Sequence, residues 1–141
     1  MNKLETAWQI AQTADVSTPP NSVVLYSISY QPSDENKRRA LQYVAEHAEC
    51  RMLDDTECGK QLTALGLETG NESPDAELLK IWALASKRFI AATSGNVTAF
   101  VKNADKRSTF VRVELPLILQ NDKIECINGI DKHKFAEQFL R

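Results

Sequence analysis

Residues 22–30 read SVVLYSISY, residues 96–103 NVTAFVKN and residues 123–129 KIECING. Each is a strand-length apolar run, and stretches of helical length separate each from the next. That alternation is the strongest constraint on the fold. Strands joined by helix-length crossovers pair in parallel, so the pattern predicts an α/β domain on a small, mainly parallel sheet with flanking helices. The run at 22–30 is apolar enough to be central in that sheet. Ligands of open α/β sheets bind at the carboxyl ends of strands, which are here Tyr26-Ser27, Lys102-Asn103 and Asn128-Gly129.

The helical segments follow from periodicity and end signals. Residues 3–14 form an amphipathic helix carrying Leu4, Trp8 and Ile10, and residues 34–49 form a second. Asp55 or Thr56 caps a short helix over 57–66, with Gly66 near its end. Asp75 opens a long helix over 75–93, and residues 131–140 form a terminal helix. The breaks STPPNS (17–22) and GNESPD (70–75) are the clearest punctuation. They divide the chain into an N-terminal helix and linker, 1–20, and a main domain, 21–141.

Composition excludes several classes. With 141 residues there is room for one domain with a true core. A net charge of −2 argues against a nucleic-acid footprint, which is basic overall or in one dense patch. The longest apolar runs are too short to span a bilayer, and the acidic and polar residues of MNKLETAWQIAQTAD do not make a signal peptide. Three cysteines, Cys50, Cys58 and Cys126, lack metal-ligand spacing. They read as reduced thiols, with one disulfide as the alternative.

RSTFVRVELP (107–116) is the first unusual stretch. Val111, Val113 and Leu115 look like one buried face of an extended segment, and Glu114 interrupts it just before Leu115-Pro116. The long helix holds the second. Leu78, Ile81, Trp82, Ala85 and Phe89 make its core stripe, with Trp82 at the edge and Ser86 one turn on. Trp82 is either a core anchor or a cleft wall stacking on a flat ligand, with Ser86 bonding to it. LDDT (53–56) is either a helix cap or a substrate-orienting pair of acids. Lys106, Arg107 and Arg112 form a cationic cluster sufficient for a phosphate. His47 and His133 have no metal-ligand neighbours and read as surface residues. No glycine-rich dinucleotide fingerprint, Walker loop or GxSxG elbow is present.

In order, these pieces resemble the ADP-ribosyl cyclase and NAD glycohydrolase family. Its members carry an aromatic-Ser pair after an apolar strand, and a Leu-acid-Asp-Thr segment. A Trp follows, with Ser four residues on and then basic-Arg-Phe, and finally Ser-Thr-Phe with Glu five residues after the Thr. This chain has Tyr26-Ser27, then Leu53, Asp54, Asp55 and Thr56, then Trp82, Ser86, Arg88 and Phe89, then Ser108, Thr109, Phe110 and Glu114. The resemblance covers roughly residues 22–130, and its WxxxSxRF…STFxxxE part is the more specific.

The resemblance implies a catalytic site of Glu114, Trp82 and Ser86, and substrate contacts from Tyr26, Ser27, Asp54, Asp55, Ser108, Thr109 and Phe110. Trp82 and Tyr26 would be aromatic walls, Ser86 and Thr109 would bond near the ribose and phosphates, and Asp54 and Asp55 would lie near the nicotinamide. NAD or NADP is then the substrate, with no cofactor and no metal. Three features depart from the family: few cysteines, a short N-terminal helical part, and Ile28 where a basic residue is usual. Lys102, Lys106 or Arg107 would replace that charge.

The chemistry suits one carboxylate. Cleaving the nicotinamide–ribose bond expels a neutral leaving group, so no strong general acid is needed. The transition state is oxocarbenium-like and can be stabilised from one side by an ionised glutamate at a pocket edge. Hydrolysis to nicotinamide and ADP-ribose is expected to dominate, with cyclase activity minor. Compact domains of this type look similar to the C-terminal toxin modules of bacterial polymorphic toxins, including contact-dependent growth inhibition effectors. That likeness implies delivery by a larger secreted or cell-surface carrier, action in the cytoplasm of a target bacterium, and a cognate immunity protein. The competing class is an RNA-cleaving toxin with His47 or His133 as acid or base. A third is a non-catalytic binding module.

Overall fold

The computed structural model describes residues 2–27, 34–66, 76–108 and 110–140. Helix α1 spans Lys3–Thr13, strand β1 Val24–Tyr26 and helix α2 Glu35–Glu46. A 3-10 turn, Leu53–Asp55, leads into α3, Glu57–Ala64. Helix α4, Ala76–Ala91, precedes β2, Gly95–Phe100. A π-helical turn, Phe110–Glu114, runs into α5, Leu115–Gln120, and β3 (Ile124–Ile127), β4 (Ile130–Asp131) and α6 (Lys132–Phe139) complete the chain. Asp75, expected to open α4, lies outside the described residues.

The four strands lie in the order β1-β2-β3-β4. β1 pairs in parallel with β2, β2 in parallel with β3, and the short β4 returns antiparallel. The sheet is therefore mainly parallel, as the alternation predicts. β1 is terminal in that order rather than central. Its outer side is nonetheless occupied, because Val24 N–H donates to Arg51 O and Arg51 N–H donates to Ser22 O. The unbroken apolar run has a different cause, since both faces of β1 are covered.

Alternation along β1 divides the interior. Val23 and Leu25 face the main core with Leu62, Ile81, Phe89, Ile90, Val97 and Ile127. Val24 faces a smaller cluster with Ala40, Cys50 and Met52, against which Tyr26, Tyr43 and Phe100 pack. α2 thus covers one face of the sheet, while α1 and α4 build the other. The helix set apart by the proline break is part of this core: Ala7 and Ala11 are fully buried. Trp8 Nε1 donates to Glu77, and the Arg88 guanidinium donates to Ala11 O and Ala14 O.

Thr56 is the N-cap of α3, its hydroxyl accepting from Gly59 N–H. Gly59 matters for a second reason: a Cβ there would overlap the Leu53 carbonyl, so only glycine lets α3 lie against the 3-10 turn. Gly66, at φ +78°, ends the helix as expected. All three cysteines are free thiols, and burial pushes those of Cys50 and Cys58 up from their ordinary pKa. Among the described residues no helix is long and apolar enough to cross a membrane.

Candidate active site

Residues 107–116 do not form the extended segment that alternation suggests. Ser108 starts a turn instead: its hydroxyl accepts from Val111 N–H at 3.2 Å and its carbonyl from Arg112 N–H at 3.0 Å. The wide turn then passes directly into α5, where Pro116 sits in the first turn and no donor is missed. Helical rather than two-residue periodicity buries Phe110, Glu114 and Leu115, leaving Val111 and Val113 half-buried and Arg112 exposed. π-turns of this kind are frequent at functional sites.

Glu114 is therefore largely buried, not an exposed charge on an edge strand. It is 9% exposed, and burial alone raises its carboxyl from 4.5 to about 7. The glutamate expected to be ionised is a group whose burial brings its titration near neutrality. Among the described residues it has no hydrogen-bond or ion-pair partner.

The separated motif blocks are joined through α4 and Ser108. The 3-10 turn of LDDT and the π-turn both pack on α4, the helix of Trp82 and Ser86. Ser27 Oγ donates to Ser108 Oγ at 2.9 Å, both hydroxyls buried, which ties the end of β1 to the turn bearing Glu114. Trp82 is 6% exposed and Ser86 7%. Trp82 packs in the main core, yet its Nε1–H is buried without a hydrogen-bond partner among the described residues. A donor left so is costly unless something else meets it.

Other candidates are placed differently. Phe110 is 1% exposed, its ring edge-on to Phe139, so it holds the π-turn against α6 instead of facing a ligand. Tyr26 packs with the smaller cluster, on the opposite side of the sheet from Trp82, so the two expected walls do not face one another. Asp55 accepts from Met52 N–H and closes its own turn, while Asp54 is exposed. Thr109 lies outside the described residues. Lys106 and Arg112 are exposed, Arg107 pairs with Asp105 at 3.2 Å, and Lys102 lies 3.8 Å from Glu35. His47 stacks on Tyr43 at 3.9 Å, and His133 N–H donates to Asp131. Among the described residues no group of three or more His, Cys, Asp or Glu could hold a metal ion.

Asn36 is the residue that sequence reasoning missed. It is 2% exposed, its amide donating to Ser27 O at 3.0 Å and Lys102 O at 2.8 Å and accepting from Lys102 N–H at 3.1 Å. It locks the ends of β1 and β2 together where the motif residues emerge. Asn36→Ala strands three backbone groups, so a loss of about 1–3 kcal/mol is expected in urea titration. An unchanged midpoint would show that the clamp is not structural.

No family model matches the sequence, and no curated protein matches it. Solved structures do. An ADP-ribosyl cyclase complexed with N1-cIDPR aligns at TM-score 0.61 and 18% identity, over 83% of this chain and 51% of the other. Porcine CD38, complexed with a covalent intermediate, aligns at TM-score 0.60 and 20% identity, over 98% of this chain and 78% of that one. Aplysia cyclase, complexed with substrate NGD and product cGDPR, aligns at TM-score 0.56 and 20% identity over 77% and 48%. The chain has the ADP-ribosyl cyclase fold. It spans about half the length of the cyclases it matches.

Proposed function

We propose that the chain is an NAD(P) glycohydrolase, cleaving the nicotinamide–ribose bond to give nicotinamide and ADP-ribose. One observation carries this reading: a buried carboxylate, Glu114, on a π-turn packed against the helix of Trp82 and Ser86, in a fold whose solved examples hold N1-cIDPR, the product cGDPR and a covalent intermediate. The C–N bond breaks with its electron pair going to nicotinamide, whose ring becomes neutral. Ionised Glu114 stabilises the cationic ribosyl centre from one face. Water adds there and loses a proton to solvent. Incubation of the pure protein with NAD, followed by chromatography, tests this directly: stoichiometric nicotinamide supports it, and unchanged NAD sinks it.

Hydrolysis is expected to exceed cyclisation. Cyclisation needs the adenine folded back inside an aromatic enclosure that excludes water. Here Trp8 is committed to Glu77 and Tyr26 to the far side of the sheet, so that enclosure is thin. ADP-ribose as the main product is the expected result, and a cyclic main product would overturn the open-site account.

The proposal extends to setting. A domain that consumes NAD harms the cell that makes it, which suits a toxin module carried by a larger secreted or surface protein into a bacterial cytoplasm. An immunity protein, acidic toward Lys102, Lys106, Arg107 and Arg112, would block it in the producer. Expression in bacteria without such a partner is expected to lower cellular NAD and arrest growth. Normal growth with unchanged NAD would contradict the toxin reading.

A further inference from the structure

Apolar packing alone does not put Glu114 where it is. The wide turn buries Phe110, Glu114 and Leu115 and leaves Val111 and Val113 half-buried. A slip of one residue in either direction turns each side chain by about 100° and would bring Val113 or Leu115 into the place of Glu114. Either would cost less to bury than a carboxyl. Directional bonds must therefore hold the register, and Ser108 supplies them. Its carbonyl accepts from Arg112 N–H at 3.0 Å and its own N–H donates to Asp105 O at 3.0 Å. Its hydroxyl accepts from Val111 N–H at 3.2 Å, as a helix N-cap does. The second acceptor position of that hydroxyl is taken by Ser27 Oγ at 2.9 Å. Ser27 is in turn fixed at both backbone groups: its N–H donates to Phe100 O at 3.0 Å, and its carbonyl accepts from Asn36 Nδ2 at 3.0 Å. A continuous line of hydrogen bonds thus runs from α2 and the ends of β1 and β2 to the turn that carries Glu114.

We infer that Ser108 is a positioning residue for the cleavage step: its hydroxyl, pinned by Ser27, sets the register of the π-turn and so places the Glu114 carboxyl, and it does not bond to substrate. This rests on the glycohydrolase reading and gives Ser108 a different task from the substrate contact expected from sequence. Ser108 is 1% exposed, and both acceptor positions of its hydroxyl are filled from within the protein, which suits a strut better than a ligand contact. A group that stabilises a developing charge works through its place, and a displacement of about 1 Å costs up to roughly a hundredfold in rate. Without the Ser108 hydroxyl, Val111 N–H and Ser27 Oγ lose a partner together, and the turn is released toward the register that buries a valine or leucine. The loss falls on the transition state, so kcat drops while KM holds.

The test measures NAD turnover by the whole chain, per folded molecule, in Ser108→Ala, Ser27→Ala, Glu114→Gln and Ser108→Ala combined with Glu114→Gln. Amide exchange at Val111 and Arg112 is followed by NMR alongside. Ser108→Ala is expected to lower kcat by roughly ten- to a hundredfold with KM within about threefold of the parent. The Val111 and Arg112 amides should exchange about tenfold faster or more. Ser27→Ala leaves the Ser108 cap in place, and is the variant to read should Ser108→Ala fail to fold. It is expected to lower kcat by about three- to tenfold, again with little change in KM. Added to Glu114→Gln, Ser108→Ala should remove less than about a further twofold, because no carboxylate remains to be placed. A raised KM at unchanged kcat in either serine variant overturns the inference in favour of a substrate contact. Unchanged kcat and KM in the folded serine variants confine the pair to stability and overturn it as well, as do fully multiplicative losses in the combined variant. Each of these outcomes leaves the glycohydrolase reading intact. No NAD consumption by the parent protein overturns that reading and this inference together.

Discussion

Glu114→Gln is expected to abolish NAD consumption and to make the protein more stable at neutral pH. The first effect follows from loss of a preorganised charge at the ribosyl centre, worth roughly 10²–10³ in rate. The second follows from burial. The carboxyl titrates at about 7 in the folded chain against 4.5 normally. Below pH 4.5 it is protonated folded and unfolded, and contributes no difference. Between 4.5 and 7 the unfolded chain ionises while the folded one does not, so stability falls as pH rises. Above 7 the penalty is complete, at about 3 kcal/mol. Glutamine is the neutral isostere and does not titrate. The variant should therefore unfold at higher urea than the parent at pH 8 and at about the same urea at pH 4.5. A Gln variant that turns over NAD normally removes Glu114 from the site. One that is inactive but no more stable at pH 8 shows that the carboxylate is better solvated than its burial implies.

Trp82→Ala is expected to cost about 3–5 kcal/mol of stability. The indole is 6% exposed and packs with Leu78, Ile81, Ala85 and Phe89 in the main core, so truncation opens a cavity among side chains unable to close it. Spacing leaves core anchor and cleft wall open; burial makes Trp82 a core residue whatever else it does. Trp82→Phe separates the roles, because it keeps most of the packing and deletes the unpartnered Nε1–H. Loss of one hydrogen bond to substrate, about 0.5–1.5 kcal/mol, would lower kcat/KM roughly two- to tenfold with little change in stability. Unchanged kinetics in a stable Trp82→Phe protein would confine this residue to packing.

The α/β architecture was legible because each apolar strand run is bounded by strong punctuation, prolines before β1 and a glycine at the start of β2. The cap on α3 was legible too, since Thr56 and Gly66 are local signals read by nearby backbone. The π-turn was not. Its valines alternate with charged residues, which mimics a half-buried strand, and the Ser108 hydroxyl that commits the backbone to turning looks like any polar loop residue. Asn36 was unreadable for another reason. Its partners are backbone groups 9 and 66 residues away, and nothing in the charged sequence around it marks the position. Trp82, Ser86 and Glu114 were visible as motif residues, but how deeply they are buried was not, because spacing fixes a face and not its depth.

The tie between α1 and α4 has a consequence for how the chain comes to be folded. Trp8 and Ala11 meet their partners 69 and 77 residues further along, and β1 lies beside a strand that begins only at Gly95. During synthesis the first quarter of the chain must therefore wait, with its apolar residues unsheltered, until most of the rest has emerged. Such a topology favours late, all-at-once closure over stepwise growth from the N-terminus. A chain interrupted before β2 would have helices but no sheet to gather them, and would be a target for proteases and chaperones rather than a partly folded domain.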